Sequence, residues 1–282
     1  MKFGEFTLHI VSDGTFYLDG GAMFGVVPKV LWNKSNPADE LNRIKLGLNC
    51  LLVQTSEKKI LVDTGVGEKL KERFKEMYRV EREHGLVESL DAAGTKPEDI
   101  DFVINTHLHF DHCGGNTVKK NSTYTPTFSN AQYVIQEKEW LAATNPNERT
   151  KASYLREDFE PLEKAGQLML VTGEHSVTEG VTVIPTPGHT QGHQSVLIES
   201  NGKKALYCGD LIPTTSHVRL PYIMGYDLYP VDILETKRKI LDQAAHEHWL
   251  LIFEHDHETP FAYVLEKEGK QTLDKITGEE SA

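Results

Sequence analysis

Cysteine is scarce in this chain of 282 residues, occurring only at Cys50, Cys113 and Cys208. The number is odd, the three are far apart and no C-x-x-C pair is present, which excludes a disulfide framework and favours a reducing compartment. Cys113 and Cys208 lie close in sequence to the histidine and aspartate residues discussed below. They are either metal ligands or small buried packing residues, and packing is the favoured interpretation.

Long apolar runs are also missing, since none approaches the roughly 20 residues that a membrane helix needs. The first five residues, MKFGE, do not resemble a signal peptide. Internal repeats, low-complexity tracts and linkers rich in proline or serine are absent too. We therefore expect a cytoplasmic protein without a membrane partner, folded as a single domain over residues 1–282.

Basic charge is limited, with 30 Lys and Arg against 42 Asp and Glu and a net charge of −12. The basic residues are scattered and form no stripe, which argues against a nucleic-acid partner. A neutral or apolar small-molecule substrate fits this composition better. Bound divalent cations would offset part of the negative charge.

The most informative segment is residues 106–112, THLHFDH, which places three imidazoles and one carboxylate within six positions: His107, His109, Asp111 and His112. It follows an apolar β-type run at 100–104 and precedes a Cys-Gly-Gly turn. Imidazole and carboxylate ligands suit Zn, Mn, Fe or Co rather than Ca or Mg. The alternative is a polar loop that is rich in histidine by coincidence.

Three later strand-like runs end in side chains of the same kind. His189 follows the run at 181–184 in a tight turn with proline and glycine, Asp210 follows 204–208, and His255 follows 249–253. Each could be an ordinary turn residue, but four such sites that each close a β run indicate one metal centre. The strand-like runs occur in pairs separated by helical segments, without regular βαβ alternation, which predicts two mixed sheets with helices outside.

The motif H-x-H-x-D-H at 107–112, the turn GHTQGH at 188–193, Gly209-Asp210 and the run LVDTG at 61–65 together resemble the metallo-β-lactamase superfamily. The resemblance spans residues from about 50 to 257. It implies an α/β fold, an αββα sandwich of two mixed β-sheets flanked by helices, with two metals at one edge. The ions it implies are Zn, with Fe, Co or Mn as alternatives. The implied ligands are His107, His109 and His189 for the first ion, Asp111, His112 and His255 for the second, and Asp210 as the bridge.

Two further residues stand beside these implied ligands. Asp63 either orients a ligand ring or makes a structural hydrogen bond at its strand end. His193 either supports the ligands or packs in the interior.

Within the superfamily, the segments 20–29, 188–195 and 209–214 resemble a bacterial branch of N-acyl-homoserine lactonases and methyl-parathion-hydrolase-like phosphotriesterases. Three other branches of the superfamily fit this sequence less well. True β-lactamases lack a bridging carboxylate at the position of Asp210, and processing ribonucleases need a basic exosite, which is absent here. Glyoxalase II enzymes usually continue into a helical domain, for which few residues follow His255. One departure is Pro213, where the known lactonases carry a tyrosine that contacts the lactone. Tyr222, Tyr226 or His217 could replace that tyrosine, and ordinary packing is the alternative for each.

Met23 and Phe24 lie in a glycine-rich segment that could form an apolar wall for the substrate. Core packing or a dimer interface is the alternative for this segment. We expect a homodimer.

We therefore expect a dinuclear metal-dependent hydrolase, in the first place a lactonase. The same site could also hydrolyse phosphotriesters weakly, as a promiscuous activity. In the lactonase reaction Asp210 would position the attacking water and Asp111 would carry a proton to the leaving oxygen. The alternatives are a glyoxalase II-like thiolesterase and a non-catalytic metal-dependent sensor on the same fold.

Overall fold

The computed structural model describes residues 1–267 and 270–276. Its helices are α1 (Gly20–Phe24), α2 (Lys29–Trp32), α3 (Glu72–Met77), α4 (Leu86–Ala92), α5 (Phe110–Cys113), α6 (Glu137–Thr144), α7 (Arg156–Lys164) and α8 (Pro230–Glu247). Short 3-10 turns occur at Pro97–Asp99, Gly114–Asn116, Gly209–Leu211 and Thr215–Val218.

The strands of the first half are β1 (Lys2–Phe3), β2 (Phe6–Asp19), β3 (Arg43–Gln54), β4 (Lys59–Val62), β5 (Phe102–Ile104), β6 (Thr117–Lys120), β7 (Thr123–Pro126), β8 (Gln132–Gln136) and β9 (Leu168–Val171). Those of the second half are β10 (His175–Thr178), β11 (Val181–Pro185), β12 (Gln194–Ser200), β13 (Lys203–Tyr207), β14 (Leu250–Ile252), β15 (Phe261–Lys267) and β16 (Lys270–Lys275).

Two large mixed sheets form the centre of the molecule. The first has the strand order β1-β2-β3-β4-β5-β8-β9 and the second runs from β10 to β16 in chain order, while β6 and β7 form a separate hairpin. Strands β4, β5, β8 and β9 pair in parallel in the first sheet, as do β13 and β14 in the second. This arrangement confirms the predicted pair of mixed sheets.

Three apolar layers hold the sheets and helices together. The facing surfaces of the two sheets bury residues from both, such as Leu51 and Val62 against Val196 and Ile252. Helices α4, α6 and α7 cover the outer face of the first sheet, and α8 covers the outer face of the second. The order is therefore helix, sheet, sheet, helix, because each sheet can bury both of its faces only in that way.

The carboxyl ends of several strands meet at one edge of this sandwich. In the first sheet, Asp63 follows β4 and His107 lies three residues beyond β5, which runs parallel to β4. In the second sheet, β11, β13 and β14 run in the same direction and are followed by His189, Asp210 and His255. Parallel direction places these ends at the same edge of each sheet.

The two sheets are joined by hydrogen bonds at that edge. The Asn49 amide nitrogen donates to the carbonyl oxygens of Phe253 at 3.1 Å and Asp256 at 2.7 Å. The backbone N–H of Gly47 donates to the carbonyl of His255 at 3.0 Å. Strand β3 thereby fixes the segment that carries His255 relative to the first sheet.

Some local predictions were wrong in detail. The charged sequence of residues 68–83 predicts a helix, but within it only Glu72–Met77 forms one. The glycines after Asp19 predict a loop, yet this segment begins with helix α1, which the Asp19 carboxylate caps by accepting from the Ala22 N–H.

The C-terminal segment also differs from the prediction. The sequence after Pro260 predicts a polar tail with a frayed end, but β15 and β16 add a hairpin to the second sheet. Phe261, Ala262 and Val264 are buried there, and this apolar burial stabilises the hairpin. The expected fraying of the end itself falls on residues 277–282, which lie outside the described residues.

Among the helices of the described residues, none has the length and apolar character that crossing a bilayer requires.

Candidate metal centre

The first group of candidate ligands joins residues from both halves of the sandwich. His109 Nδ1 lies 3.0 Å from His107 Nε2 and 3.1 Å from His189 Nε2. The Asp210 Oδ2 atom lies 3.1 Å from His189 Nε2 and 3.9 Å from His107 Nε2. The four side chains thus direct one ligand atom each towards a common point, and the structure places these atoms within 4.8 Å of one another.

The second group lies on the other side of Asp210. His112 Nε2 and His255 Nε2 are 3.2 Å apart, and Asp111 Oδ2 lies 3.9 and 3.8 Å from them. Helix α5 begins directly after His109, so one turn carries Asp111 and His112 away from the first group and into the second. Residues 107–112 therefore supply side chains to both groups, because the chain passes from a strand end into a short helix within these six residues.

Asp210 connects the two groups. Its Oδ2 atom lies 3.1 Å from His189 Nε2 of the first group and 3.6 Å from His112 Nε2 of the second, and its Oδ1 atom lies 3.2 Å from His255 Nε2 of the second. Among the described residues, Oδ1 is one of a few buried side-chain oxygens without a hydrogen-bond donor. A buried carboxylate oxygen without a donor, surrounded by imidazole nitrogens that face one another, is the arrangement that a pair of cations would satisfy. The residues present therefore fit two divalent metal ions.

Four of the five imidazoles are held at the ring nitrogen that faces away from the cluster. His107 Nδ1 lies 3.1 Å from Thr106 Oγ1, and His255 Nδ1 lies 2.9 Å from the Gly47 carbonyl oxygen. His189 Nδ1 lies 2.9 Å from Asp227 Oδ1. Such contacts fix the orientation and tautomer of a ligand ring.

His112 has the most heavily charged support of the five. Its Nδ1 atom lies 2.7 Å from Glu254 Oε2 and 3.1 Å from Asp63 Oδ2. Asp63 also accepts hydrogen bonds from the Thr106 N–H at 2.7 Å and hydroxyl at 2.6 Å. Both interpretations that the sequence left open for Asp63 therefore apply, because one carboxylate orients His112 and also fixes the segment that leads to His107.

The backbone at Asp63 is unusual, with φ at 54° in the left-handed region. A non-glycine residue adopts this conformation only when its surroundings stabilise it, and such positions cluster at functional sites. Here the hydrogen bonds to Thr106 and the contact with His112 supply that stabilisation.

Burial and mutual repulsion set the charges of these groups. Burial, reinforced by the neighbouring imidazoles, lowers the pKa of His107 and His109 well below the usual histidine range. Burial alone would raise the pKa of Asp210, but the imidazoles of His189 and His112 outweigh it and hold that pKa well below its usual range. The rings of His107 and His109 are therefore neutral and Asp210 is ionised, whereas the neighbouring carboxylates raise the pKa of His112, His189 and His255 despite their burial. A metal ion bound at these three rings would take the place of the proton.

His193 does not point its ring into either group. Its Nε2 atom accepts a hydrogen bond from the Asp210 backbone N–H at 3.0 Å, and its Nδ1 atom contacts Thr186. Burial lowers its pKa to about 3, so the ring is neutral and able to accept. His193 therefore fixes the turn that carries Asp210.

The cysteines beside the ligands also point elsewhere. Cys113 Sγ donates to the Leu108 carbonyl at 3.3 Å and Cys208 Sγ lies 3.6 Å from the Leu206 carbonyl. All three cysteines are free and buried, and burial raises the pKa of the Cys113 thiol well above its usual range. This placement supports the packing interpretation of both residues.

Three carboxylates that contribute to the centre were not identified from the sequence. Glu254 lies directly before His255, so its position next to a candidate ligand was the only available signal. Asp227 and Glu139 lie far from every motif, and no spacing marks them. Their contacts with the ligand segments arise only from the tertiary fold.

A cavity of about 380 Å³ opens onto the two groups. Its floor includes His109, Asp111, His189, Asp210 and His255. Its walls combine apolar side chains with hydroxyl and guanidinium groups, namely Leu18, Ala22, Met23, Phe110, Met224, Leu228, Tyr78, Thr150, Ser153, Tyr226 and Arg149.

The five candidate substrate contacts are distributed between this wall and the layer behind it. Met23 and Tyr226 line the cavity. Phe24 is fully buried, with its ring stacked between Trp32 at 5.2 Å and His217 at 4.7 Å.

The remaining two candidates belong to the layer behind the wall. His217 Nε2 lies 2.8 Å from the Met23 carbonyl oxygen. The Tyr222 ring packs edge-on against Phe24, and its hydroxyl accepts a hydrogen bond from Arg219. These contacts place Phe24, His217 and Tyr222 as supports of the wall. Tyr78, which the sequence did not single out, lies in the wall itself.

Comparison with known proteins gives a consistent family assignment. A model of the metallo-beta-lactamase superfamily matches residues 44–255. An N-acyl homoserine lactonase of Bacillus cereus is 36% identical over 169 residues, which cover 56% of this chain and 61% of that relative. The chain thus matches less than two thirds of the length of this curated relative.

Two solved structures match over more of the chain. A protein of Staphylococcus aureus, described as a probable metal-dependent hydrolase, has a TM-score of 0.92 and 32% identity, and the match covers 99% of both chains. An N-acyl homoserine lactone hydrolase with the product N-hexanoyl-L-homoserine at its catalytic metal centre has a TM-score of 0.71 and 26% identity. That match covers 91% of this chain and 95% of the other. Both likenesses confirm the αββα sandwich predicted from the sequence.

We expect the purified protein to bind two divalent transition-metal ions per chain, because the ligand atoms form two groups that share Asp210. Elemental analysis after mild purification measures the stoichiometry. Removing the ions with a chelator should lower the melting temperature, because ions that bind only the folded chain stabilise it. Saturation at one ion per chain would contradict the two-ion arrangement.

Proposed function

The chain belongs to the metallo-beta-lactamase superfamily, and on that premise we propose that it is a dinuclear metal-dependent hydrolase that opens lactone rings. The observation that carries this proposal is the position of Asp210. Its carboxylate stands between the two ligand groups and at the floor of a cavity with an apolar wall. N-acyl-homoserine lactones are the substrate class that the lactonase relatives suggest.

The proposed ligands are those of the two groups, with His107, His109 and His189 for one ion, Asp111, His112 and His255 for the other, and Asp210 for both. The preference of imidazole and carboxylate for Zn supports a zinc pair, with Fe, Co or Mn able to occupy the same donors. When bound, such ions supply Lewis acidity and lower the pKa of water at the site.

The chain's own residues supply orientation and proton transfer. Asp210 orients the attacking water from the floor of the cavity, because its carboxylate is ionised and fixed by the His193 contact with its backbone. Asp111 borders the cavity and is only 7% exposed. That position suits a carboxylate that carries a proton to the leaving oxygen as the ring opens.

Met23 and Tyr226 are the proposed substrate contacts. Met23 provides an apolar surface for an acyl chain, and the His217 contact fixes its backbone. Tyr226 is 38% exposed where it lines the cavity, and a phenol hydroxyl keeps its proton at neutral pH and can donate it in a hydrogen bond. Tyr226 is therefore the proposed replacement for the lactonase tyrosine that is missing at Pro213.

The proposal extends to weak phosphotriesterase activity, because a phosphotriester passes through a similar geometry at the reacting centre. We also propose that the chain folds as one domain, is located in the cytoplasm and forms a homodimer. The exposed apolar side chains of Val26, Val30 and Leu31 beside the cavity segment support association with a second copy.

The Asp210→Asn variant tests the proposed activity. The amide keeps the shape of the side chain but lacks its negative charge, so kcat on a lactone should fall about 100-fold or more. The melting temperature of the metal-loaded variant should stay close to that of the wild type. Metal content is measured on the same samples, and an unchanged kcat in a metal-replete variant would rule out the role of Asp210.

The substrate panel for this test includes lactones, aryl esters, thiolesters and phosphotriesters. Lactone turnover by the metal-loaded wild type supports the proposal. Rapid turnover of S-lactoylglutathione without lactone turnover would instead assign a thiolesterase. If none of the four substrate classes is turned over, the remaining alternative is a non-catalytic metal-dependent sensor.

The pair Tyr226→Phe and Tyr222→Phe tests the substrate contact with a matched control. Each change removes one hydroxyl, but only Tyr226 lines the cavity. We expect Tyr226→Phe to lower kcat/KM on lactones about 10- to 100-fold, with metal content unchanged, because a donor to the substrate is lost. Tyr222→Phe should stay within about twofold of the wild type. Equal effects of the two changes would show that Tyr226 does not contact the substrate.

A further inference from the structure

Glu139 is a carboxylate without a place in the proposed reaction, although it is among the most buried charged residues of the described chain, at 1% exposed. It lies in helix α6, which packs against the first sheet and is covered by the apolar layer around Trp140 and Ala143. Burying a carboxylate is unfavourable unless hydrogen bonds satisfy its oxygens. Glu139 is satisfied by three donors, the Leu108 N–H, the Thr190 hydroxyl and the Tyr154 hydroxyl.

The groups that donate to the Glu139 carboxylate lie beside candidate ligands of the first ion. Glu139 Oε1 accepts from the Leu108 N–H at 3.0 Å, and Leu108 stands between His107 and His109. Glu139 Oε2 accepts from the Thr190 hydroxyl at 2.6 Å, and Thr190 follows His189. One carboxylate thus joins the two segments that carry the three histidines of this group.

The third donor reaches the same group through an aromatic ring. The Tyr154 hydroxyl donates to Glu139 Oε1 at 3.0 Å, and the Tyr154 ring lies 5.0 Å from the imidazole of His109. Burial raises the pKa of Glu139, while the hydrogen bonds from Thr190, Leu108 and Tyr154 act in the opposite direction.

The turn that carries His189 is also shaped to approach Glu139. Gly192 lies against the backbone of Glu139, and a Cβ atom at Gly192 would clash with the Glu139 backbone nitrogen. Only glycine allows the turn after β11, in the second sheet, to approach helix α6 on the first sheet so closely. This close approach and the hydrogen bond to Thr190 connect the two halves of the sandwich at the ligands.

We propose that Glu139 is a positioning residue for the first metal ion, setting the distance between the segment of His107 and His109 and the segment of His189. The inference rests on the proposed metal centre, and it concerns the first group of ligands only. Asp111, His112 and His255 of the second group make no hydrogen bond to Glu139 in the part of the chain that the structure describes. Loss of the Glu139 carboxylate should therefore weaken the binding of the first ion and leave the binding of the second unchanged.

The test uses Glu139→Gln, with Asp13→Asn as the matched control. Asp13 is also a buried carboxylate, with donors from Gly67, Leu86 and Arg82. Each metal-loaded protein is dialysed against increasing concentrations of a chelator, and the ions retained per chain are counted. We expect Glu139→Gln to lose one ion at a chelator concentration about tenfold lower, because an amide cannot accept from all three donors. Its second ion should behave as in the wild type, as should both ions of Asp13→Asn.

A second variant, Thr190→Val, removes the donor without changing the carboxylate and covers the case in which Glu139→Gln fails to fold. Thr190→Val should weaken the binding of the same ion, the first one. The double variant should add little to the larger single effect, because both changes remove one interaction. Cobalt-loaded samples give a readout independent of turnover, since their visible spectrum should change only in the part that the first ion contributes.

Retention of both ions at the wild-type chelator concentration would overturn the positioning role. Loss of both ions in parallel with a lower melting temperature would also overturn it, because that is the result of a general structural role. A wild-type chain that binds fewer than two ions would overturn the metal centre and this inference together, so the two failures are distinguishable.

Discussion

Asp210 directs its two carboxylate oxygens to opposite sides of a buried group of five imidazoles, with Oδ2 3.1 Å from His189 Nε2 and Oδ1 3.2 Å from His255 Nε2. The ionised carboxylate would attract cations into this buried group, and the imidazole nitrogens around it would bind them. The geometry of the centre therefore depends on keeping Asp210 in place.

The fold keeps it there by joining elements that are far apart in sequence. His193 accepts from the Asp210 N–H, and Asn49 of the first sheet donates to the carbonyls of Phe253 and Asp256 on either side of His255. Glu139 makes the corresponding connection between the segments of His109 and His189. The proposed metal centre thus lies where the two sheets are tied together, and the same hydrogen bonds hold both the sandwich and the candidate ligands.

The ligand motifs could be predicted because each closes a β run, and a strand end fixes both the position and the direction of its last side chains. The supporting carboxylates could not, since Asp227 and Glu139 meet their partners only through long-range packing. Neighbouring residues in α1 show the same limit. Successive residues of a helix point about 100° apart, so Met23 faces the cavity while Phe24 packs against Trp32, and composition alone could not separate them. The hairpin β15–β16 was missed because the charged residues after Leu265 dominate the composition of the segment, although the run FAYVL at 261–265 is an apolar strand signal.

Anomalous diffraction from crystals of the metal-loaded protein, recorded at the absorption edge of the bound metal, would show whether Asp210 lies between two ions. We expect two peaks per chain, one bounded by His107, His109 and His189 and the other by Asp111, His112 and His255, with Asp210 in contact with both. A single peak, or two peaks of which only one contacts Asp210, would contradict it.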